Sequence, residues 1–262
     1  MLWQRVLTAV IAVPIVFILF YRAGFPLMLG SLAVAALGLY EFYRLTSSMG
    51  HKPLTWWGYC IGLNCILFGI YLWHGQYFPQ TLWLLMVLAV VHFAAAFPKW
   101  TLSDLAVTFF GAFYVGGLLS FLIRLREFEA QGWMWVLLVF LLTWANDTAA
   151  YFVGSKMGKH PLCPKLSPNK TVEGFLGGLI VTILSALLFG QLVSGNNYFL
   201  WGLLGLLAAV VGTTGDLLES TYKRLAQAKD SGVLFPGHGG VLDRLDSLLL
   251  VAPLVYYFMP LL

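Results

Sequence analysis

The chain has 262 residues, 60% of them hydrophobic and only 10% charged, and its mean hydropathy is +0.84. This composition excludes an ordinary soluble domain and points to a polytopic membrane protein. The formal net charge of +4 is not spread over a solvated surface, so no nucleic-acid partner is expected.

A helix needs ~20 mostly apolar residues to cross the hydrocarbon core. About nine runs meet that length, near 6–21, 26–46, 56–73, 79–97, 104–123, 133–153, 174–193, 199–217 and 245–262. The first run follows Arg5 directly. No convincing small-x-small cleavage site follows it and a second run begins almost at once, so it is read as a retained helix. Cys60 and Cys65 fall in the third run and Cys163 in a loop, with neither a Cys-x-x-Cys nor a zinc spacing. Gly174 and Gly178 open the seventh run with a small-xxx-small pattern, which favours close helix approach and is compatible with a homodimer. The expected fold is therefore all-α, a polytopic integral membrane protein with about nine transmembrane helices. Residues 1–130 are expected to supply packing and oligomer or lipid contacts, and residues 131–262 to carry the catalytic site.

The 15 Lys and Arg residues orient these runs. Arg22, Arg124 and Arg126 fall on one side and the other 12 on the opposite side. By the positive-inside rule the richer side is cytoplasmic, which places the N-terminus in the cytoplasm. The two longest connections, about 154–173 and 218–244, then face the cytoplasm as well.

Polar residues concentrate in the last third. Five of the 11 acidic residues lie between Asp216 and Asp246. Asp216 and Glu219, and likewise Asp243 and Asp246, are three apart and so share a helix face. Asp147 and its neighbour Asn146 sit near the cytoplasmic end of the sixth run, where an ionisable residue is expensive and marks function by default. Carboxylates of this kind suit Mg²⁺, which takes one or two of them together with substrate phosphates. Asp216, Glu219, Asp243, Asp246 and Asp147 are the candidate ligands. Lys223, Arg224, Lys229 and Arg244 interleave with the acids and offer phosphate contacts.

Two loops offer anion-binding backbone. In Pro236-Gly237-His238-Gly239-Gly240 the glycines permit successive N–H groups to face an anion, and a helix start follows. In the other, Ser167 followed by Pro168 reads as a helix N-cap, with Lys170 in the first turn. The segment Gly154 to His160 only superficially suggests a phosphate-binding P-loop. Its glycine spacing is one short, His160 replaces Ser or Thr, and no strand precedes it.

The stretch from Ser220 to Asp246 resembles the signature of the phosphatidate cytidylyltransferases, or CDP-diacylglycerol synthases. Ser220, Lys223, Arg224, Lys229, Asp230, Gly232, Phe235, Pro236, His238, Gly239, Gly240, Val241, Asp243, Arg244, Leu245 and Asp246 all fit in register. Asn146-Asp147-Thr148 through Gly174 is similar to the family's other recurring segment. Tyr222 and the run Leu225 to Ala228 depart from the pattern. The resemblance implies transfer of the cytidylyl group of CTP to phosphatidate, giving CDP-diacylglycerol and pyrophosphate, in the bacterial inner (cytoplasmic) membrane. On this reading Asp216, Lys223, Asp243 and Asp246 are catalytic, with Mg²⁺ on Asp216 and Asp243. Asn146, Asp147, Ser167, Lys170, Arg224, Lys229, His238, Gly239, Gly240 and Arg244 bind substrate. A different lipid-linked transferase and a transporter are the rival readings. Against the transporter, the carboxylates gather at one face and in one half of the chain.

Overall fold

In the computed structural model of the protein, residues 2–67, 76–128, 132–193, 197–232 and 239–262 are described. They form helices α1 (Leu2–Arg22), α2 (Gly24–Ser48), α3 (Thr55–Ile66), α4 (Phe78–Ala95), α5 (Leu102–Gly111), α6 (Leu118–Glu127), α7 (Gly132–Met157), α8 (Val172–Val193), α9 (Tyr198–Leu225) and α10 (Leu242–Phe258). A π-helical segment, Ala112–Gly117, joins α5 to α6 in one continuous rod. The protein is thus an all-α, polytopic integral membrane protein. Seven of the helical segments are long and apolar enough to cross a membrane by length and composition, among the described residues.

Three helices, α5, α8 and α9, start where a side chain satisfies a free N–H group. The Thr101 side chain accepts from the Asp104 N–H, and the Asp104 carboxylate accepts in return from the Thr101 N–H at 2.8 Å, a reciprocal cap for α5. Asn197 caps α9 by accepting from the Leu200 N–H. The start of α8 differs from expectation. Ser167 does not cap it. Ser167–Thr171 is strand β2, paired antiparallel with β1 (Pro161–Cys163), and the helix begins only at Val172. Thr171 acts as the cap instead, its hydroxyl accepting from the Gly174 N–H at 3.1 Å. Pro168 is tolerated because a two-stranded ribbon is all edge, so its missing N–H breaks no required bond.

Glycine lets α7 and α8 come close. A Cβ at Gly174 would lie 2.7 Å from the Ala150 carbonyl oxygen, and one at Gly178 would lie 2.5 Å from Asn146 Oδ1. The Gly174–Gly178 pattern therefore serves packing inside the chain. The main apolar core spans both halves of the chain among the described residues. It includes Leu39 and Phe42 of α2, Ile123 of α6, Leu138 and Leu142 of α7, Trp201 and Leu204 of α9, and Leu249 and Val255 of α10. Residues before and after position 130 share it. Trp135 stacks on Trp201 with centroids 6.3 Å apart, locking α7 to α9. By contrast, α4 buries only Ala89 among its side chains, as expected of a helix facing lipid.

A candidate active site at the α9–α10 crossing

Helix α9 runs past the expected end of its apolar run to Leu225, so Asp216, Glu219 and Lys223 lie on one rigid helix face. Helix α10 crosses it at Gly215. A Cβ there would stand 2.5 Å from the Asp246 carbonyl oxygen, so only glycine permits the approach. The consequence is a cluster of acids. Asp216, Glu219 and Asp246 bring carboxylate oxygens within 4.8 Å of one another, a spacing at which they could share a cation. Glu219 is buried, and its Oε1 has no hydrogen-bond partner among the described residues. Its other oxygen accepts from Lys223 Nζ at 2.6 Å. Lys170, carried by β2, forms an ion pair with Asp216. A buried carboxylate oxygen without a donor is costly, and at a functional site it signals a ligand position.

Asp243 was expected beside Asp216 as a metal ligand. The structure places it in a different network. Its Oδ1 accepts from Lys223 Nζ at 2.8 Å. Its Oδ2 accepts from the N–H groups of Ser231 and Gly240, each at 2.8 Å, with the Ser231 hydroxyl also at 2.8 Å. Lys223 thus joins the two groups of acids, bonding to Glu219 on one side and Asp243 on the other.

The start of α10 was expected to leave N–H groups free for an anion. They are occupied. Glu41 of α2 accepts from the Val241 N–H through Oε1 and from the Leu242 N–H through Oε2, both at 2.9 Å. The anion that the helix N-terminus attracts is a protein carboxylate. Gly240 must be glycine here, because a Cβ would collide with both Glu41 oxygens and the Ser231 hydroxyl. Gly239 has a φ of 84°, a left-handed conformation, and a Cβ there would sit 2.5 Å from Asp243 Oδ2. His238 lies outside the described residues.

A cavity of about 470 Å³ opens beside this crossing. Its body is apolar, walled by residues such as Val16 and Phe20 of α1, Leu27 and Val34 of α2, Leu122 of α6 and Phe140 of α7. Its polar end is formed by Asp147, Asp243, Arg244 and Asp246. Asn146 is buried between α7 and α9, its Nδ2 donating to Thr213 Oγ1 at 3.3 Å, while its Oδ1 has no partner among the described residues. Arg224 Nε donates to the Leu166 carbonyl at 3.1 Å and ties the end of α9 to the β1–β2 hairpin. Ser167 lies at the start of β2, opposite Cys163, away from any helix start. Lys229 is exposed on the segment after α9.

Reading the sequence alone left out Glu41, Arg44 and Ser231. Arg44 Nη2 donates to the Ser231 carbonyl at 2.8 Å, so α2 reaches the site at two points. Glu41 had an available signal. It is the single acidic residue of the second apolar run, and the rule that singles out Asp147 applies to it equally. Tyr114 carried no comparable signal. It sits in the π segment, packs on Phe42 and Tyr222, and its buried hydroxyl has no partner among the described residues.

Comparison with known proteins identifies the family. The model of the cytidylyltransferase family matches residues 3–262. The phosphatidate cytidylyltransferase of Haemophilus influenzae is 37% identical, over 98% of this chain and 98% of that protein. That of Bacillus subtilis is 33% identical over 98% and 97%, and that of Staphylococcus epidermidis 34% identical over 96% of each. With near-full-length similarity and a matching family model, this chain is an enzyme, a nucleotidyltransferase, and belongs to the cytidylyltransferase family.

Proposed function

We propose that the protein transfers the cytidylyl group of CTP to phosphatidate, forming CDP-diacylglycerol and pyrophosphate, with Mg²⁺ and at the cytoplasmic face. One observation carries the reading: Asp246, one of three converging carboxylates, also lines the polar end of an otherwise apolar cavity, beside Asp147, Asp243 and Arg244. A lipid phosphate needs this combination, with acyl chains held in the apolar body and the headgroup held at the charged end. The names of the relatives supply CTP and phosphatidate as the substrates. The 12-to-3 distribution of Lys and Arg supports the cytoplasmic orientation.

The donor set fits a hard divalent cation. It offers only oxygens, and one of them, Glu219 Oε1, is buried without a donor. Asp216, Glu219 and Asp246 would hold Mg²⁺, which when bound neutralises phosphate charge and stabilises the charge that develops on the transferring phosphoryl group. A phosphatidate oxygen attacks the α-phosphorus of CTP. The new P–O bond forms as the bond to the β-phosphate bridging oxygen breaks, and pyrophosphate leaves with that electron pair. The nucleophile is already an anion, so no strong base is required. The chain's task is to bring two anions together in line. Arg244, at the polar end of the cavity, meets the lipid phosphate. Lys223 and Lys170 face the triphosphate, and Lys170 exchanges its pairing with Asp216 for substrate. Asp243 holds Lys223 in place from behind.

The test is conversion of phosphatidate by the detergent-purified protein supplied with CTP, with and without Mg²⁺ and with EDTA. CDP-diacylglycerol formed only with the metal is expected. Folded protein that makes none from CTP, but releases pyrophosphate from another nucleotide or lipid alcohol, would replace this reading with that of a different lipid-linked transferase.

A further inference from the structure

Helix α2 belongs to the half of the chain without the signature, yet it delivers a buried carboxylate to the site. Glu41 is 4% exposed. It accepts from the Val241 and Leu242 N–H groups, and Ser231 Oγ lies 3.1 Å from its Oε2. Ser231 Oγ also lies 2.8 Å from Asp243 Oδ2 and accepts from the Asp243 N–H at 3.3 Å. One hydroxyl thus links the Glu41 and Asp243 carboxylates, and Arg44 fixes the Ser231 carbonyl from the same helix. Together these contacts bind residues 231, 241 and 242, before and after the glycine-rich segment, to α2.

We propose that Glu41 is a positioning residue for nucleotide binding. It sets the start of α10, and through it Asp243 and Lys223, so that Lys223 faces the triphosphate. The inference rests on the reading of the site as a CTP site. The lipid side should depend less on Glu41, because most of the apolar wall of the cavity lies along α1, α2, α6 and α7, with Val241, Leu245 and Leu248 the apolar residues contributed from the start of α10. Glutamine has nearly the same size but replaces one acceptor oxygen with a donor that must face an N–H group. Glu41→Gln therefore removes a charge-assisted bond and adds a repulsive contact, while leaving the volume unchanged.

The experiment compares wild type, Glu41→Gln and Glu41→Asp in detergent, measuring KM for CTP and for phosphatidate separately. Glu41→Gln should raise KM for CTP at least ~10-fold, the size expected for losing a bond to a charged group, and leave KM for phosphatidate within about twofold. Glu41→Asp keeps the charge and both oxygens and should recover part of the CTP affinity. A smaller folded fraction lowers apparent kcat without moving either KM, so a selective change in one KM separates positioning from general destabilisation. Unchanged CTP kinetics in Glu41→Gln, or equal rises in both KM values, would overturn the assignment. If neither variant yields folded protein, Glu41 is a folding determinant and the positioning role is likewise overturned. If wild type itself uses neither substrate, the reading of the site fails instead.

Discussion

Two groups of carboxylates meet at the α9–α10 crossing, and Lys223 touches both. Asp243 and Glu41 are saturated by protein donors: backbone N–H groups, a serine hydroxyl and, for Asp243, the lysine. Asp216, Glu219 and Asp246 converge with few such donors, and one buried oxygen has none among the described residues. The difference distinguishes architecture from reactivity. A carboxylate whose lone pairs are filled by the protein has no capacity left for a ligand, whereas one left open within a cluster of like charges is stable only when a cation arrives. Sequence spacing treats the pairs Asp216–Glu219 and Asp243–Asp246 alike. The tertiary contacts do not.

The division can be broken by substitution. Asp216→Asn and Asp246→Asn should each reduce turnover at least ~100-fold in folded protein, because an open ligand to the cation is lost. Near-normal rates from either variant would remove that residue from the open group. Asp243→Asn should differ in kind. It should lower the unfolding free energy by roughly 2 kcal/mol, since several donors lose an ionised acceptor, and the loss should appear as a lower melting temperature without any ligand present. A variant with wild-type melting but greatly weakened metal binding would move Asp243 into the open group.

Two milder substitutions sharpen the contrast between the polar end and the apolar body of the cavity. Val34→Phe narrows the body and should raise KM for phosphatidate about fivefold, roughly 1 kcal/mol, the lower end of the range for one misfitted apolar group, with KM for CTP unmoved. Lys170→Ala removes a half-buried partner of Asp216 and should raise KM for CTP only a few-fold, about the scale of a partly screened ion pair. Equal effects of both variants on both substrates would merge the two ends of the cavity into one site.

Most of the fold was legible in the sequence because a membrane demands long apolar runs, and each expected run overlaps helix among the described residues, where seven helical segments are long and apolar enough to span. The site was legible as a region for a related reason: charge is scarce here, so five acids within 31 residues stand out. Its wiring was less so. The expected cap at Ser167 gave way to a strand, because Thr171 offers a hydroxyl at the point where α8 can pack on α7. The expected anion site at the start of α10 is filled from a helix 200 residues earlier, a separation no local pattern reports.

By itself the sequence determined that the chain is an all-α membrane protein, which residues are scarce enough to matter, and which helix face each presents. These follow from hydropathy and from the 3.6-residue period, both local properties. Only the tertiary structure decided which carboxylates meet. That choice depends on Gly215 permitting α10 to cross at Asp246, and on Glu41 reaching α10 from the other half of the chain. Both are matters of distance between segments remote in sequence, and distance is set by packing.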